Sequence, residues 1–145
     1  MHKGEIAFQN CTTITEAVLP EGLITIGTHA FFGCSNLVKV NIPSTVTYLG
    51  HNPFLSTAFY KDKSNWTDDV LYLNNCLLDN SYTSNFEIKE DTRLFAENAL
   101  SWSRVTSIDL SKFSFNIPAE FLSNSKYLQS IILSKETKSI GIEAF

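Results

Sequence analysis

The sequence predicts an α/β solenoid, a fold in which short structural coils stack one upon the next along the chain. The main observation is an apolar motif that returns every 23 residues through most of the 145 residues. A second observation is a short segment with the pattern of a β-strand, which follows the motif at a fixed offset. The composition fits a packed domain, since 43% of the residues are hydrophobic and only 6 are Gly and 4 are Pro. These proportions exclude disordered and collagen-like chains.

Each coil begins with a half-motif that ends in an Ala-Phe pair. In the clearest copy, Leu23 is followed by Ile26-Gly27 and then by Ala30-Phe31. The same frame occupies residues 46–54, 92–100, 114–122 and 137–145, and a further Ala-Phe pair precedes them at residues 7–8. The register holds across six periods with the loss of a single residue, which is more than chance allows. We expect this half of the coil to form a turn or a short helical piece.

The second half-motif predicts a short strand. Apolar residues alternate there with period two among Val, Ile and Thr, which is the pattern of a half-buried strand. The four copies lie at residues 14–19, 37–42, 105–110 and 128–133. Pro20 and Pro43 end the first two strands, because proline has no N–H to donate to a neighbouring strand.

The two half-motifs together resemble the BspA-like leucine-rich-repeat family, also named the Treponema-type class. The string LVKVNIPSTVTYLGHNPF is similar to the family consensus, which is close to LxxIxIPxxVxxIGxxAFxxC. The likeness covers residues 7–145, and the period lies within the window of roughly 20–29 residues that leucine-rich repeats use. Leu100, Leu122 and Pro118 depart from the consensus, and the register survives them. The resemblance implies a leucine-rich-repeat solenoid with short parallel strands on its concave face and irregular or short helical segments on its convex face.

Two columns of apolar side chains should form the core, because each coil buries its Phe against the coils beside it. The first column should contain Phe8, Phe31, Phe54, Leu100, Leu122 and Phe145. The second should contain Ile26, Leu49, Phe95, Ile117 and Ile140. Because the chain stops at an apolar residue with no polar cap, we expect either a fragment of a longer array or a chain that self-associates end to end.

Residues 55–85 lack the consensus and are predicted to be a degenerate module within the same domain. Val70–Leu73 and Cys76–Leu78 flank Asn74-Asn75, which predicts a hairpin with a two-residue turn. The regular motifs on either side lie two full periods apart, so we interpret the module as two modified coils that carry the hairpin. The chain, residues 1–145, is thus predicted to be one domain of about six coils.

The most extended candidate site is a ribbon of side chains on the concave face. Residues that alternate with the buried positions of each strand point away from the core. The ribbon comprises Glu16, Val18, Lys39, Asn41, Asn85, Glu87, Ser107, Asp109, Ser130 and Ile132. It is mostly small, polar and slightly acidic, which suits either a ligand site or a neutral solvated face. A secondary candidate is the hairpin region with Trp66, Tyr72 and Tyr82, since exposed aromatic residues anchor interfaces.

Charge and motifs exclude several functions. The net charge of −4 and the pI near 5.3 leave no basic stripe for the phosphates of a nucleic acid. No apolar run is long enough for insertion into a membrane, and the first residues lack the hydrophobic segment of a signal peptide. No nucleophile motif, phosphate loop or cofactor fingerprint occurs. We therefore expect a protein that is not an enzyme and that needs no cofactor.

The cysteines, histidines and paired aspartates do not suggest a metal or catalytic site. Cys11 and Cys34 share one repeat position, so they either form a disulfide or fill the same core slot as thiols. Serine in the matching slot of later coils favours the thiols. His29 and His51 are offset by one position in the repeat, so we expect their rings not to stack. Asp68-Asp69 is predicted to lie in a solvated turn, because adjacent carboxylates in a strand point to opposite faces.

The family resemblance implies a non-enzymatic binding module of a secreted or cell-surface protein. Members of the family are implicated in adhesion to host matrix proteins and in contact between cells. The partner would then be a protein or a glycan on a host or neighbouring cell, and the location outside the cell is inferred from the family alone. The alternative is a structural spacer that holds another domain away from the membrane and has no ligand of its own.

Overall fold

The computed structural model describes residues 6–84 and 86–145, so the ribbon residue Asn85 lies outside the described residues. The regular elements within these ranges are short. They are the strands β1 (Glu16–Ala17), β2 (Thr25–Ile26), β3 (Lys39–Val40), β4 (Tyr48–Leu49), β5 (Trp66–Thr67), β6 (Val70–Leu73), β7 (Cys76–Asn80), β8 (Leu94–Phe95), β9 (Ser107–Asp109) and β10 (Ser130–Ile132), the helix α1 (Ala58–Lys61) and a 3₁₀ helix (Lys63–Asn65). No helix in the described ranges could span a membrane, since α1 has only 4 residues.

Parallel strand pairs join residues that are one period apart. β1 pairs with β3 so that Glu16 lies beside Lys39, β2 pairs with β4, and β9 pairs with β10. An isolated parallel bridge between Ile117 and Ile140 has the same spacing of 23 residues. The sequence period is therefore the distance along the chain between hydrogen-bonded neighbours.

The Ala-Phe half of each repeat forms a turn that bonds to the next repeat through its backbone. These turn segments are residues 6–10, 29–33, 52–56, 98–102 and 120–124. Phe31 N–H donates to the Pro53 carbonyl at 2.8 Å. Gly33 N–H donates to the Leu55 carbonyl at 3.0 Å. The first and fifth residues of every turn segment have positive φ, between 46° and 72°, which rules out a continuous helix.

Apolar packing fills the middle of the molecule as the sequence predicts. The rings of Phe31 and Phe54 stack with their centroids 5.5 Å apart, and both are buried. The other buried members of the two predicted columns are Leu100, Leu122, Ile26, Leu49, Phe95 and Ile117. The prediction is wrong at the ends, where Phe8 is 48% exposed and Phe145 and Ile140 are also exposed. Among the described residues each of these three packs against a repeat on one side only.

Glycine lets neighbouring repeats approach closely at one point of the period. A Cβ atom on Gly50 would clash with Thr28 N and lie 2.7 Å from the Gly27 carbonyl carbon. A Cβ atom on Gly141 would meet the backbone of Ala119 in the same way. Backbone atoms cannot move aside as a flexible side chain would. Close packing of the backbone therefore requires glycine at residues 50 and 141.

The degenerate segment supplies three strands of a four-stranded sheet in the order β5-β6-β7-β8, and β8 belongs to the regular repeat that follows. β6 and β7 make an antiparallel hairpin across Asn74 and Asn75, whose φ values of 46° and 59° suit a tight type I′ turn. β7 also pairs in parallel with β8, and Ala96, directly after β8, bridges Leu49. The repeats that contain Leu49 and Ala96 are therefore hydrogen-bonded neighbours, although the hairpin lies between them in the sequence.

Arg93 fixes the hairpin turn to the preceding repeat. Its guanidinium donates to the carbonyls of Val46 and Pro43, both at 2.9 Å, and to Ile42 at 3.3 Å. Its Nε donates to the Asn74 carbonyl at 3.2 Å. The Asn74 side chain in turn accepts from Ile42 N–H at 2.8 Å. A planar group with five donors can satisfy this many carbonyls at once.

Candidate functional site

The ribbon residues of the described ranges lie in part on two separate two-stranded sheets. Glu16 and Lys39 belong to the β1–β3 sheet, whereas Ser107 and Ser130 belong to the β9–β10 sheet. The exposed members are Glu16, Val18, Lys39, Glu87, Ser107, Asp109, Ser130 and Ile132. Lys39 Nζ lies 2.6 Å from Glu16 Oε1, and both side chains face solvent. An exposed ion pair of this kind contributes little stability.

Asn41 differs from the other ribbon residues because its side chain is half-buried and fully engaged. Its Nδ2 donates to the Leu19 carbonyl at 3.0 Å, and its Oδ1 accepts from Leu19 N–H at 2.8 Å. The amide thus closes a two-bond ring with the backbone of the preceding repeat. The expectation that Asn41 points freely outward is wrong, because the unpaired backbone of Leu19 draws the side chain back.

A groove of about 260 Å³ lies on the ribbon side, between residues 86–90 and the end of β9. This ribbon groove is lined by Phe86, Glu87, Ile88, Glu90, Val105, Ser107, Ile108, Asp109, Lys112 and Phe113. Lys112 Nζ lies 3.2 Å from Glu90 Oε1 at its rim. The hydroxyl and the backbone N–H of Ser111 donate to Asp109 and lower the pKa of its carboxyl. The groove therefore combines an apolar lining with a charged rim in which carboxylates outnumber the lysine.

The three aromatic candidates of the hairpin region do not share one environment. Trp66 is half-buried, its Nε1 donates to the Tyr60 carbonyl at 2.8 Å, and Lys63 Nζ sits 4.3 Å from its ring centroid. Tyr72 is half-buried beneath Lys89. The expectation of exposed rings is wrong for these two, because each packs against the core and has a lysine ammonium group over its ring. Tyr82 alone is exposed, to 63%.

A second groove, of about 350 Å³, opens where the turn segments 52–56 and 98–102 meet. The residues that define this junction groove are Asn52, Asp79, Asn80, Tyr82, Trp102 and Glu120. The two turn segments are joined through side chains, since Asn98 Oδ1 accepts from Asn52 N–H at 3.3 Å and Asn98 Nδ2 donates to Asn52 Oδ1 at 3.2 Å. The hairpin holds the rest of the two turns apart, and the groove fills that space.

Asp79 lies between the hairpin and the helix α1. The Tyr60 hydroxyl donates to Asp79 Oδ2 at 2.7 Å, and Asn80 N–H donates to Asp79 Oδ1 at 2.7 Å. Burial raises the pKa of the Asp79 carboxyl, although both hydrogen bonds oppose the shift. Burial and the neighbouring carboxylate also raise the pKa of Tyr60, so its hydroxyl remains a proton donor.

The Asn80 side chain donates the hydrogen bonds that a preceding turn segment donates in the other repeats. Its Nδ2 donates to the carbonyls of Ala99 and Ser101 at 3.2 and 3.1 Å. Elsewhere such carbonyls accept from the backbone of the preceding turn, as Ala30 does from Phe8 N–H at 2.8 Å. Asn80 Oδ1 is buried and has no hydrogen-bond partner among the described residues. An unsatisfied buried amide oxygen costs about 1–3 kcal/mol, so the floor of the junction groove contains a strained polar group.

Trp102 departs from the pattern of the turn segments. It occupies the fifth position, where the other turn segments have Asn10, Gly33, Ser56 and Asn124. Small or short polar residues tolerate the left-handed backbone of this position, whereas a bulky side chain there costs about 1–3 kcal/mol. Trp102 adopts φ of 60° and is still 53% exposed, so burial does not offset that strain in full. The sequence analysis missed this residue, although its departure from the repeat was visible.

The thiols and imidazoles make no metal site within the described ranges. Cys11, Cys34 and Cys76 are free thiols, and Cys34 Sγ donates to the Phe8 carbonyl at 3.0 Å. Burial raises the pKa of Cys34, and raises that of Cys76 to about 11, so both stay protonated at neutral pH. This outcome matches the core-slot alternative for Cys11 and Cys34.

As the sequence predicts, the rings of His29 and His51 do not stack, but they are in contact. The rings of His29 and His51 are in edge contact, with their centroids 5.7 Å apart. The offset of one position does not separate them, because His29 N–H donates to the His51 carbonyl at 2.9 Å and joins the two turns directly. His51 Nε2 also lies 3.5 Å from Glu120 Oε2 on the wall of the junction groove.

Parallel pairing at a spacing of one repeat, with an apolar column inside, defines a repeat protein of the leucine-rich type. The family described as "BspA type Leucine rich repeat region" matches residues 3–62 and 56–145, in six copies, and the chain belongs to this family. The family is generally a non-enzymatic repeat module, leucine-rich-repeat domains generally bind proteins, and members are typically secreted or on the cell surface.

A solved structure and the curated proteins provide two further comparisons. The crystal structure of the leucine-rich-repeat protein TpLRR of T. pallidum is similar, with 15% sequence identity and a TM-score of 0.39. The alignment covers 94% of this chain and 64% of that one, so this chain spans less than two thirds of the length of TpLRR. A comparison with curated proteins finds no match.

Proposed function

We propose that this chain is a non-enzymatic protein-binding module of a secreted or cell-surface protein, and that it acts in adhesion to a host or neighbouring cell. The family supports the binding class and the location. Parallel pairing at one-period spacing supports a stacked solenoid in which the ribbon forms the concave face. An extended face of this kind suits a protein partner better than it suits a closed catalytic pocket.

The ribbon groove is the observation on which this proposal rests. Glu87, Ser107 and Asp109 line it together, with the rings of Phe86 and Phe113 beside them. Apolar contact with the two rings would supply binding energy, while the carboxylates would select the charge of the partner. We infer a partner surface that presents Lys or Arg next to an apolar side chain.

The proposal predicts that reversing the charge of the ribbon abolishes binding. The triple variant Glu16→Lys, Glu87→Lys and Asp109→Lys is compared with the unmodified chain against immobilised matrix glycoproteins by surface plasmon resonance. We expect at least a tenfold loss of affinity, about 1.4 kcal/mol, because opposite charges steer and hold the partner. Circular dichroism and thermal unfolding establish that the variant is folded.

A second triple variant, Glu21→Lys, Asp91→Lys and Glu136→Lys, is the matched control. All three of these carboxylates are exposed and lie outside the ribbon, and the change of net charge is the same. We expect this variant to bind as the unmodified chain does. Equal losses in both variants would mean that net charge alone governs binding, and would contradict a site on the ribbon.

The spacer alternative is favoured by one observation in the first part of the ribbon. Glu16 and Lys39 pair with each other, and Asn41 is bonded to the preceding repeat, so this part offers few free polar groups. If the folded chain binds no matrix glycoprotein, the spacer is the better description and the adhesion proposal fails for this segment.

A further inference from the structure

The junction groove results from specific contacts of the degenerate segment, residues 55–85, and is not a chance depression between repeats. Elsewhere consecutive turn segments are linked by backbone hydrogen bonds. Three such bonds run from the N–H groups of His29, Phe31 and Gly33 to carbonyls of the next repeat. Between 52–56 and 98–102 the Asn52–Asn98 side-chain bonds replace this contact, and Asn80 from the hairpin satisfies the carbonyls left open. The result is an open space bounded by three parts of the chain.

Two exposed aromatic residues line the groove, and both have a backbone conformation that is unfavourable for bulky side chains. Trp102 and Tyr82 are both exposed, and both adopt positive φ, at 60° and 53°. Bulky side chains rarely adopt this conformation, and strained residues cluster where a site requires them. Trp66 lines the groove as well, so both tryptophans of the chain belong to its lining.

The polar groups of the groove include both acceptors and donors, and the donors include Lys63, His51 and the hydroxyls of three serines. The acceptors are the groups with capacity left for a ligand. They include the carboxylates of Asp79 and Glu120 and the carbonyl oxygens of Asn52 and Asn80.

A ligand that suits this lining must present several groups that can both donate and accept hydrogen bonds. The two carboxylates oppose a negative ligand, and Lys63 is the one lysine of the lining that offsets them. A ligand that suits the rings must also present an apolar face. A sugar ring meets both requirements, because its hydroxyl groups can donate and accept hydrogen bonds and the C–H bonds on its face are apolar.

We propose that the junction groove binds a neutral saccharide, with a sugar ring stacked on Trp102 and its hydroxyls donating to Asp79 and Glu120. This site shares no residue with the ribbon groove and does not depend on it. Tyr82 offers a second exposed ring in the lining of the site. A hydroxyl that reached the floor would also satisfy Asn80 Oδ1 after a small shift of the amide.

Intrinsic tryptophan fluorescence tests the proposal directly, because Trp66 and Trp102 are the 2 tryptophans of the chain and both line the groove. Lactose, N-acetyllactosamine, cellotriose, mannotriose and chitotriose are titrated, with 3′-sialyllactose as the anionic comparison, and saturation-transfer NMR confirms contact. We expect a saturable change for at least one neutral sugar and weaker binding of sialyllactose than of lactose. No saturable change with any neutral sugar would overturn the proposal, as would tighter binding of sialyllactose.

The variant Trp102→Asn separates binding from folding, because asparagine is the residue that residues 10 and 124 supply at this position. We expect binding at least tenfold weaker by saturation-transfer NMR, with an unchanged or higher melting temperature. The control Tyr127→Ala removes an exposed ring outside the groove and should bind as the unmodified chain does. Retained binding in Trp102→Asn would overturn the proposal, and so would a lower melting temperature. The ribbon variant should keep its saccharide affinity, which distinguishes the two sites.

Discussion

Asp79 links the charge of a single residue to the stability of the fold. Its pKa is raised in the folded chain, mainly by burial, whereas in the unfolded chain it titrates near the ordinary value of about 4. The folded state therefore binds more protons than the unfolded state between these two values. It follows that this carboxyl makes the free energy of unfolding fall as the pH rises through its folded pKa.

The variant Asp79→Asn should remove that fall, because the amide is neutral and its Oδ1 can still accept from Tyr60 or Asn80. We expect the variant to gain stability relative to the unmodified chain as the pH rises above 4, as measured by urea unfolding at several pH values. Asp62 and Asp109, whose pKa values are lowered by hydrogen bonds from Ser64 and Ser111, act in the opposite direction. They are present in both proteins and cancel in the difference. Parallel curves would show that Asp79 is not the group responsible.

At the scale of elements, the hairpin depends on Arg93. Arg93→Ala removes four donations to backbone carbonyls and should lower the free energy of unfolding by about 2–4 kcal/mol. Arg93→Lys should recover only part of this, because an ammonium cannot reproduce the planar fork. The measurement is chemical denaturation, with the exposed Arg104→Ala as a control that should change little. A loss below about 1 kcal/mol in Arg93→Ala would contradict the anchoring role.

The same elements show how far the sequence predicts the structure. Periodicity predicts the parallel strands and most of the buried columns, and Asn74-Asn75 predicts the hairpin turn, because each of these signals is local or repeats at a fixed distance. Contacts between the degenerate segment and the regular repeats leave no local or periodic signal in the sequence. The stacking of Phe95 on Phe121, the bridge from Leu49 to Ala96 and the role of Asn80 all depend on where the hairpin folds back.

The candidate sites follow the same division. Exposure of most ribbon residues follows from alternation along a strand, whereas the bonds of Asn41 and the burial of Trp66 depend on backbone groups of other repeats or turns. Trp102 could have been found by comparing equivalent positions of the repeats for a residue unsuited to positive φ. The junction groove could not have been found in this way. It arises from the spatial separation of two turn segments that occupy equivalent positions in the sequence repeat.

For the whole molecule, stacked repeats predict that the cost of a mutation depends on how many neighbours cover the site. Phe54→Ala should lower the free energy of unfolding by about 3–5 kcal/mol, because this ring is buried between Phe31 and Phe59 of α1. Phe8→Ala should cost less than half as much, since its ring is half exposed and, within the described ranges, stacks on Phe31 alone. Urea unfolding of both variants measures the difference. Equal losses would contradict the view that stability is a sum of neighbour contacts.

The backbone hydrogen bonds between turn segments run in one direction along the molecule. Ala30 accepts from Phe8 through its carbonyl, and Phe31, on the other side of the same peptide unit, donates to Pro53. Leu100 and Leu122 donate with the same polarity, to Phe121 and Ala144. Peptide dipoles that alternate in a sheet are here aligned, as they are in a helix. Each run of backbone-bonded turns, before and after the Asn52–Asn98 junction, is therefore an electrical dipole, with partial negative charge towards low residue numbers and partial positive charge towards high ones.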